Sequence, residues 1–482
     1  MCAELAPEHV CWHEYGSSDH ICAHKSLTDG IDARDWAGFA LVFFACAVAA
    51  GGGIGGGGLL LPLFILLFAF SPHDATPLSN VTILGGAIAN LISNGPRLHP
   101  SGRKPLIAYD VALMMEPMTI FGALLGCLLN KIFPAWLITL LLVALLGLTT
   151  HKTLQRGISS WKKEALQAEK AAGAADNAVA LLPAAEGSKG GSSARVAPFP
   201  IPPYQPGTSF PPYQPPTAAG GGAPKATLRL ESGRRSPELE AVEAQDLRTP
   251  VCDILLLVVA LLGSSALSVL RGQSRKESLL GISCGSLPYW ALIGAQLGFI
   301  LLLSFGIQAL LMRRHAQREA LGYDFLDDDV RWTARTAFAY PCICAVAGLC
   351  AGMFGIGGGI IKGPLMLEMG MLPEVSSATS AYMILFTAAA ATLQYALFGA
   401  LRLHYASALF VIGLVGTLCG QFVVKKIIQR TNRQSLIVIL IAVVIGSSTA
   451  LMGTIGTVSF VTGLRAGEDQ GMRELCVAEP MD

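Results

Sequence analysis

The string Gly53-Ile54-Gly55-Gly56-Gly57 lies inside one of the most apolar stretches of the chain, and it recurs as Gly355-Ile356-Gly357-Gly358-Gly359 in another. Pro62-Leu63 recurs as Pro364-Leu365 at the same offset of 302 residues. Past one gap, Pro72 and Leu78-Ser79 align with Pro373 and Thr379-Ser380, and Gly122 and Gly126 match Gly416 and Gly420. Each glycine costs a helix about 1 kcal/mol relative to alanine, so neither run suits a helix that only crosses lipid. The duplication constrains the fold to two related halves, each with a helix interrupted at its glycines.

Composition identifies the solvent of those halves. The chain is 52% hydrophobic and 14% charged, and a hydrocarbon core about 30 Å thick needs roughly 20 apolar residues per helix. Twelve apolar segments emerge, at residues 36–50, 59–70, 78–92, 106–130, 136–150, 251–270, 289–311, 336–354, 360–371, 376–398, 405–424 and 435–461. The second and ninth, just after the glycine runs, are each only about 18 Å of helix at 1.5 Å per residue. No span precedes the first copy and seven precede the second, so the two copies enter the membrane with opposite topology. The expected fold is an all-α polytopic membrane protein, with about 12 hydrophobic segments in two inverted-topology repeats that carry short glycine-broken helices.

The domain reading follows. Residues 1–35 form an acidic Cys- and His-containing extracytosolic tail, and residues 36–151 the first membrane repeat. Residues 152–250 are a disordered Pro/Ala/Gly-rich cytosolic linker, in which PPYQP occurs twice. Residues 251–334 supply two connecting transmembrane helices and a loop, 335–463 the second membrane repeat, and 464–482 an extracytosolic tail. The first 35 residues lack the apolar region of a cleavable signal, so the first hydrophobic segment is expected to serve as its own targeting signal. Four basic clusters, around Arg97/Arg103/Lys104, Lys152/Arg156/Lys162/Lys163, Arg313/Arg314/Arg318 and Lys425/Lys426/Arg430/Arg433, fall on one face of a twelve-span chain. The positive-inside rule makes that face the cytosol and leaves both termini outside. Cys2, Cys11, Cys22, Cys284 and Cys476 then share the oxidising side, where disulfides form.

Several function classes drop out. The 34 basic and 33 acidic residues nearly cancel, which gives nucleic acid no footprint. Gly53-x-Gly55-x-x-Gly58 matches a dinucleotide fingerprint formally, but no β-α-β unit surrounds it and the second copy has Ile360 in place of the third glycine. There is no GxxxxGK[ST] and no HExxH, and no CxxC pair among the 12 cysteines. No cofactor and no metal site is expected, and the chain does not read as an enzyme.

What remains is a binding site built from backbone. A helix that restarts after glycines presents unpaired N–H groups and the positive end of its dipole, and two such ends make an anion-favouring pocket. The candidate substrate-binding residues are therefore Gly53, Gly55, Gly56, Gly57, Gly355, Gly357, Gly358 and Gly359, with Ser79, Asn80, Thr379 and Ser380 at the starts of the following helices. Lys362, two residues into its short helix, is a further anion ligand or a snorkelling lysine. Glu116, beside Pro117 in the fourth segment, is the proton-coupling candidate, or a carboxylate that bonds backbone freed by the proline. The remaining glycine pairs, Gly122/Gly126, Gly348/Gly352 and Gly416/Gly420, read as helix packing.

The strings "GGGIGGGGLLLPLF", "RLHPSGRKPLIAYDVALMMEPMTIFGALLG", "FPAWLITLLL", "GIGGGIIKGPLMLEMGMLPEVSSATSAYM" and "LQYALFG" together resemble the sulfite exporter TauE/SafE family, in particular its plant and algal-type members. The resemblance covers residues 36–161 and 251–461 and leaves out the N-terminal tail and most of the linker. It implies a multipass transporter or facilitator of small sulfur-containing anions such as sulfite, sulfoacetate or related organosulfonates, working without ATP. The alternative is a non-transporting scaffold or accessory protein that recruits a cytosolic partner through the Pro-rich linker. The residues fix neither the oligomeric state nor the choice between plasma membrane and endomembrane.

Overall fold

The computed structural model describes residues 9–13, 20–24, 32–52, 56–180, 242, 246, 250–272, 281–326, 328–431, 435–466 and 471–472. Among these, 9–13, 20–24, 51–52, 156, 160, 163–165, 167–180, 424–425, 427–431, 435–441, 444, 448, 455, 459 and 462–466 are described by backbone alone. Most of the Pro-rich linker with both PPYQP copies, Cys2, Cys476, Gly53 and Gly55 lie outside the described residues. The first strands, β1 (His9–His13) and β2 (His20–His24), pair antiparallel ahead of the membrane part and set Cys11 opposite Cys22.

Helices follow in the order of the apolar segments. In the first half they are α1 (Ala33–Gly52), α2 (Gly57–Leu67), α3 (Pro72–Asn94), α4 (Tyr109–Ile132) and α5 (Ala135–Ala180). Two connecting helices, α6 (Val251–Arg271) and α7 (Leu287–Ala320), lead to α8 (Ala334–Phe354), α9 (Gly359–Glu368), α10 (Pro373–Leu397), α11 (Leu403–Thr431) and α12 (Ser435–Ala466). Among the described residues, nine helices are long and apolar enough to cross a membrane, namely α1, α3 to α8, α10 and α11. The chain is an integral multi-pass membrane protein. One boundary differs from the sequence reading: α5 continues some thirty residues past the end of its apolar stretch, because the polar sequence that follows holds no proline to stop it before Pro183, and isolated glycines such as Gly157 only weaken a helix.

Local chemistry fixes the helix starts. Pro72 and Pro373 open α3 and α10, where a missing N–H costs nothing. Ser71 caps α3 by accepting from the Asp74 N–H at 3.2 Å, and Thr333 with Thr336 forms a reciprocal capping box at α8.

The packing partners exchange when the halves are superposed in sequence. α4 lies along α8, as α11 lies along α1; α3 packs on α11, as α10 packs on α4; α3 meets α10, and α5 meets α12. Small residues make the close pairs possible, since a Cβ on Gly122 or Gly126 would overlap the carbonyl of Ala345 or Leu349. Cβ atoms on Gly348 and Gly352 would overlap the carbonyls of Thr119 and Ala123, and one on Gly420 would overlap Ala47. These glycines serve close helix approach, as their spacing implies.

At one end of the bundle, the loop between α3 and α4 is tied to the loop between α7 and α8. Lys104 pairs with Asp329, His99 Nε2 lies 2.8 Å from Asp328, and Arg103 reaches Asp324 at 3.6 Å. Arg314 and Arg318 join the same end through Asp253 and Asp246. Burial, aided by the hydrogen bond to Asp246, raises the Tyr323 phenol well above its ordinary range. Two of the four basic clusters thus share a face. The seven cysteines of the apolar helices are free thiols, whereas Cys284 is disulfide-bonded.

Candidate functional site

The two glycine junctions meet. Gly57 lies so close to Ile356 that a Cβ on it would overlap the Ile356 backbone, and one on Gly58 would stand 2.9 Å from Ile360 Cδ1. Gly56 (φ 73°) precedes α2 and Gly358 (φ 67°) precedes α9. Both are left-handed, a conformation that costs an L-residue roughly 1–2 kcal/mol. Neither offers a side-chain cap; the third N–H of each short helix, Leu59 and Ile361, bonds the carbonyl of the preceding glycine at 2.9 and 3.2 Å, which leaves the two N–H groups ahead of it to a ligand or to water. The carbonyl ends of the preceding helices are covered instead. Gly352 and Met353 accept from Tyr395 and Asn130, each at 2.7 Å, and Ala50 accepts from Gln421 at 3.1 Å.

Ser79, Asn80, Thr379 and Ser380 lie about two turns inside α3 and α10 rather than at their starts, because Pro72 and Pro373 already open these helices, so none of the four is a cap. Ser79 Oγ donates to the Gly355 carbonyl at 2.6 Å, which ties the first half to the second junction. Thr379 Oγ1 accepts from the Ala108 N–H at 3.0 Å. Asn80 donates to Thr76 O at 3.1 Å, and among the described residues its buried Oδ1 and the buried Ser380 Oγ have no partner. Gly355, Gly357, Gly359, Ser79, Thr379 and Ser380 are all buried in the described structure, and Gly53 and Gly55 lie outside it.

Behind the first junction is a small cavity lined by Gly56, Leu60, Thr82, Gly86, Asn90 and Thr417, and closed by Ala381 and Ile384 of α10. Its space for water centres is about 20 Å³, room for about one water molecule. Asn90 Oδ1 accepts from Gln421 Nε2 at 2.6 Å.

Behind the second junction the space is filled by charge. Lys362 Nζ donates to Glu116 Oε2 and to Thr387 Oγ1, both at 3.2 Å, and Thr387 Oγ1 donates to Glu116 Oε1 at 2.5 Å. All three side chains are buried. Lys362 therefore does not snorkel, and Glu116 bonds these partners rather than backbone freed by Pro117. Lys362 matches Leu60 at the offset of 302, and Thr387 matches Gly86 along α3 and α10. The ion pair thus stands where the first half has its cavity.

Sequence reasoning singled out Glu116 and Lys362 without pairing them, and it missed Thr387, Asn90, Thr417 and Gln421. A signal for Thr387 existed, because it lies two turns beyond Ser380 and so on the same helix face. The cavity-lining amides and hydroxyls had none, being single polar residues in long apolar helices.

A family model described as Sulfite exporter TauE/SafE matches residues 38–192 and 254–447. Sulfite exporter TauE/SafE family protein 5 of Arabidopsis thaliana is 28% identical over 90% of this chain and 86% of its own length. Family proteins 3 and 2 of the same plant are 28% and 29% identical, over 91% and 90% of this chain and 82% and 86% of their own lengths. No solved structure matches. With a family match across both membrane halves and relatives aligned along nine-tenths of its length, the chain belongs to the sulfite exporter TauE/SafE family.

Proposed function

We propose that this protein is a secondary transporter or facilitator that moves small sulfur-containing anions, of the sulfite, sulfoacetate or organosulfonate class, across a membrane. The observation that carries the reading is the contact between two left-handed glycine junctions, each opening a short helix whose first N–H groups are uncapped. A small anion fits that charge pattern, and irregular backbone inside a membrane protein is tolerated where it lines such a site. The names of the Arabidopsis relatives support the sulfur-anion class.

On this reading the two halves are inserted with opposite topology, both termini face away from the cytosol, and the junction glycines with Ser79, Asn80, Thr379 and Ser380 contact the substrate. The cavity at Gly56 is too small for such an anion as it stands, so transport requires the halves to move apart around the junctions. Glu116 and Lys362 form the coupling element. When Glu116 takes up a proton its carboxylate charge disappears, and the Lys362 ammonium is freed to attract an anion to the second junction. The resemblance of the whole membrane body to an exporter family favours transport over a scaffold.

Purified protein in liposomes tests this. Radiolabelled sulfite flux is expected, driven by a proton gradient. Gly56→Leu and Gly358→Leu are each expected to abolish it, and Glu116→Gln to remove its dependence on the gradient. Deleting residues 171–248 is expected to leave flux intact. Absence of sulfite and sulfonate flux from the intact protein would sink the reading.

A further inference from the structure

The end of the bundle away from the Arg97–Lys104 loop holds a cation that the junction site does not use. Arg271, the last residue of α6, is only 2% exposed. Its guanidinium lies 5.4 Å from the Tyr289 ring centroid and 5.6 Å from that of Phe398. Lys131, in the last turn of α4, lies 5.1 Å from the same Phe398 ring. Rings stabilise the face of a guanidinium but give its N–H edge nothing to bond. Among the described residues that edge is bare: Nε and Nη2, the side-on fork of the group, have no hydrogen-bond partner.

A second orphan donor lies about one turn away. Gln296 Nε2 donates to Ser264 O at 3.1 Å and to Ser268 Oγ at 2.6 Å, and Ser268 Oγ donates to Gln394 Oε1 at 2.9 Å. The relay ends on Gln394 Nε2, which is buried and has no partner among the described residues. Ser268 precedes Arg271 by three residues on α6, and Gln394 precedes Phe398 by four on α10, so the two sets of donors come from the same pair of neighbouring helices. Every unpaired atom of Arg271 and Gln394 is an N–H donor. Buried donors without acceptors are costly, and a buried guanidinium without an anion more so. What the site lacks is negative charge carried on two or more oxygens, the shape that a side-on guanidinium fork binds.

We propose that Arg271 and Gln394 form a binding site for a small oxyanion of the sulfite or sulfonate type, at the membrane face opposite the basic loops. The ligand class rests on the transport reading above. The site stands apart from the glycine junctions and gives the anion a station on entry or exit.

The test is equilibrium binding of radiolabelled sulfite to the full chain in nanodiscs, competed with methanesulfonate, sulfate and chloride. Arg271→Gln is expected to weaken one component of the isotherm by about tenfold or more. Gln394→Glu is the second variant, because it builds the missing acceptor into the protein. It is expected to remove the same component while raising the melting temperature, which a purely structural clasp of rings around Arg271 would not do. Competition by sulfite and methanesulfonate but not by chloride supports the oxyanion assignment. Isotherms of Gln394→Glu and of any folded Arg271→Gln that match the unaltered protein would overturn it. Arg271-dependent binding without flux keeps this inference and removes the transport reading, whereas flux with binding indifferent to both variants does the reverse.

Discussion

Behind the first glycine junction lies a cavity walled by Leu60, Gly86 and Thr417; behind the second lies the Glu116–Lys362–Thr387 triangle. The backbone around the two is related by duplication, with the same left-handed glycine, the same short helix and the same packing partners. The side chains behind the two differ. Replacing leucine by lysine and glycine by threonine at matching positions converts empty space into a buried ion pair. On the proposed transport function, the two halves would divide two jobs: space for a ligand in one, and titratable charge in the other.

The largest expected effect comes from breaking the charged half. Lys362→Met leaves the Glu116 carboxylate buried with hydroxyl partners but no cation, and losing one member of such a pair costs about 3–5 kcal/mol. Changing both, Glu116→Gln with Lys362→Met, makes the second half resemble the apolar first and is expected to restore most of that stability. Thermal unfolding of the detergent-solubilised variants measures both. A single variant as stable as the double would show that the pair carries no net charge interaction.

A smaller effect separates the two helix pairs. Gly122 on α4 and Gly416 on α11 match in sequence, yet a Cβ on Gly122 would overlap the Ala345 carbonyl, whereas one on Gly416 would sit 3.0 Å from Phe43 O. Overpacking costs about 1–3 kcal/mol, and alanine returns about 1 kcal/mol of helix propensity. Gly122→Ala is therefore expected to destabilise, and Gly416→Ala to be close to neutral, in the same unfolding assay. Equal losses would mean that α11 sits as close to α1 as α4 does to α8.

How much of this was legible depended on whether the information was periodic. Apolar length placed the helices and the constant offset placed the junctions, because both signals repeat along the chain. The spacing of Gly122 and Gly126, of Gly348 and Gly352, and of Gly416 and Gly420 gave the close helix contacts for the same reason. The pairing of Glu116 with Lys362 was not legible. Two charges 246 positions apart meet only through the packing of α4, α9 and α10, and no local pattern encodes that. Arg271 carried no local signal either, since its burial under Tyr289 and Phe398 depends on where α7 and α10 pass.

The finest comparison is between the junction glycines themselves. A Cβ on Gly56 would lie 3.2 Å from Ala49 Cβ, and one on Gly358 would lie 3.4 Å from both Ala347 O and Lys362 Cε. Neither contact is severe, so Gly56→Ala and Gly358→Ala are each expected to cost about 1–2 kcal/mol, chiefly from the left-handed backbone. Asparagine, which tolerates that conformation, is expected to recover part of the loss at both sites. Although the two melting temperatures fall together, transport should part the variants. The Gly358 methyl presses on the stem of Lys362 and so disturbs the dependence of flux on the proton gradient. The Gly56 methyl presses on Ala49, in the cavity wall, and so raises the sulfite concentration needed for half-maximal flux. Identical transport profiles for the two alanine variants would mean that the halves work alike despite their different side chains, and would remove the division of labour argued from their structure.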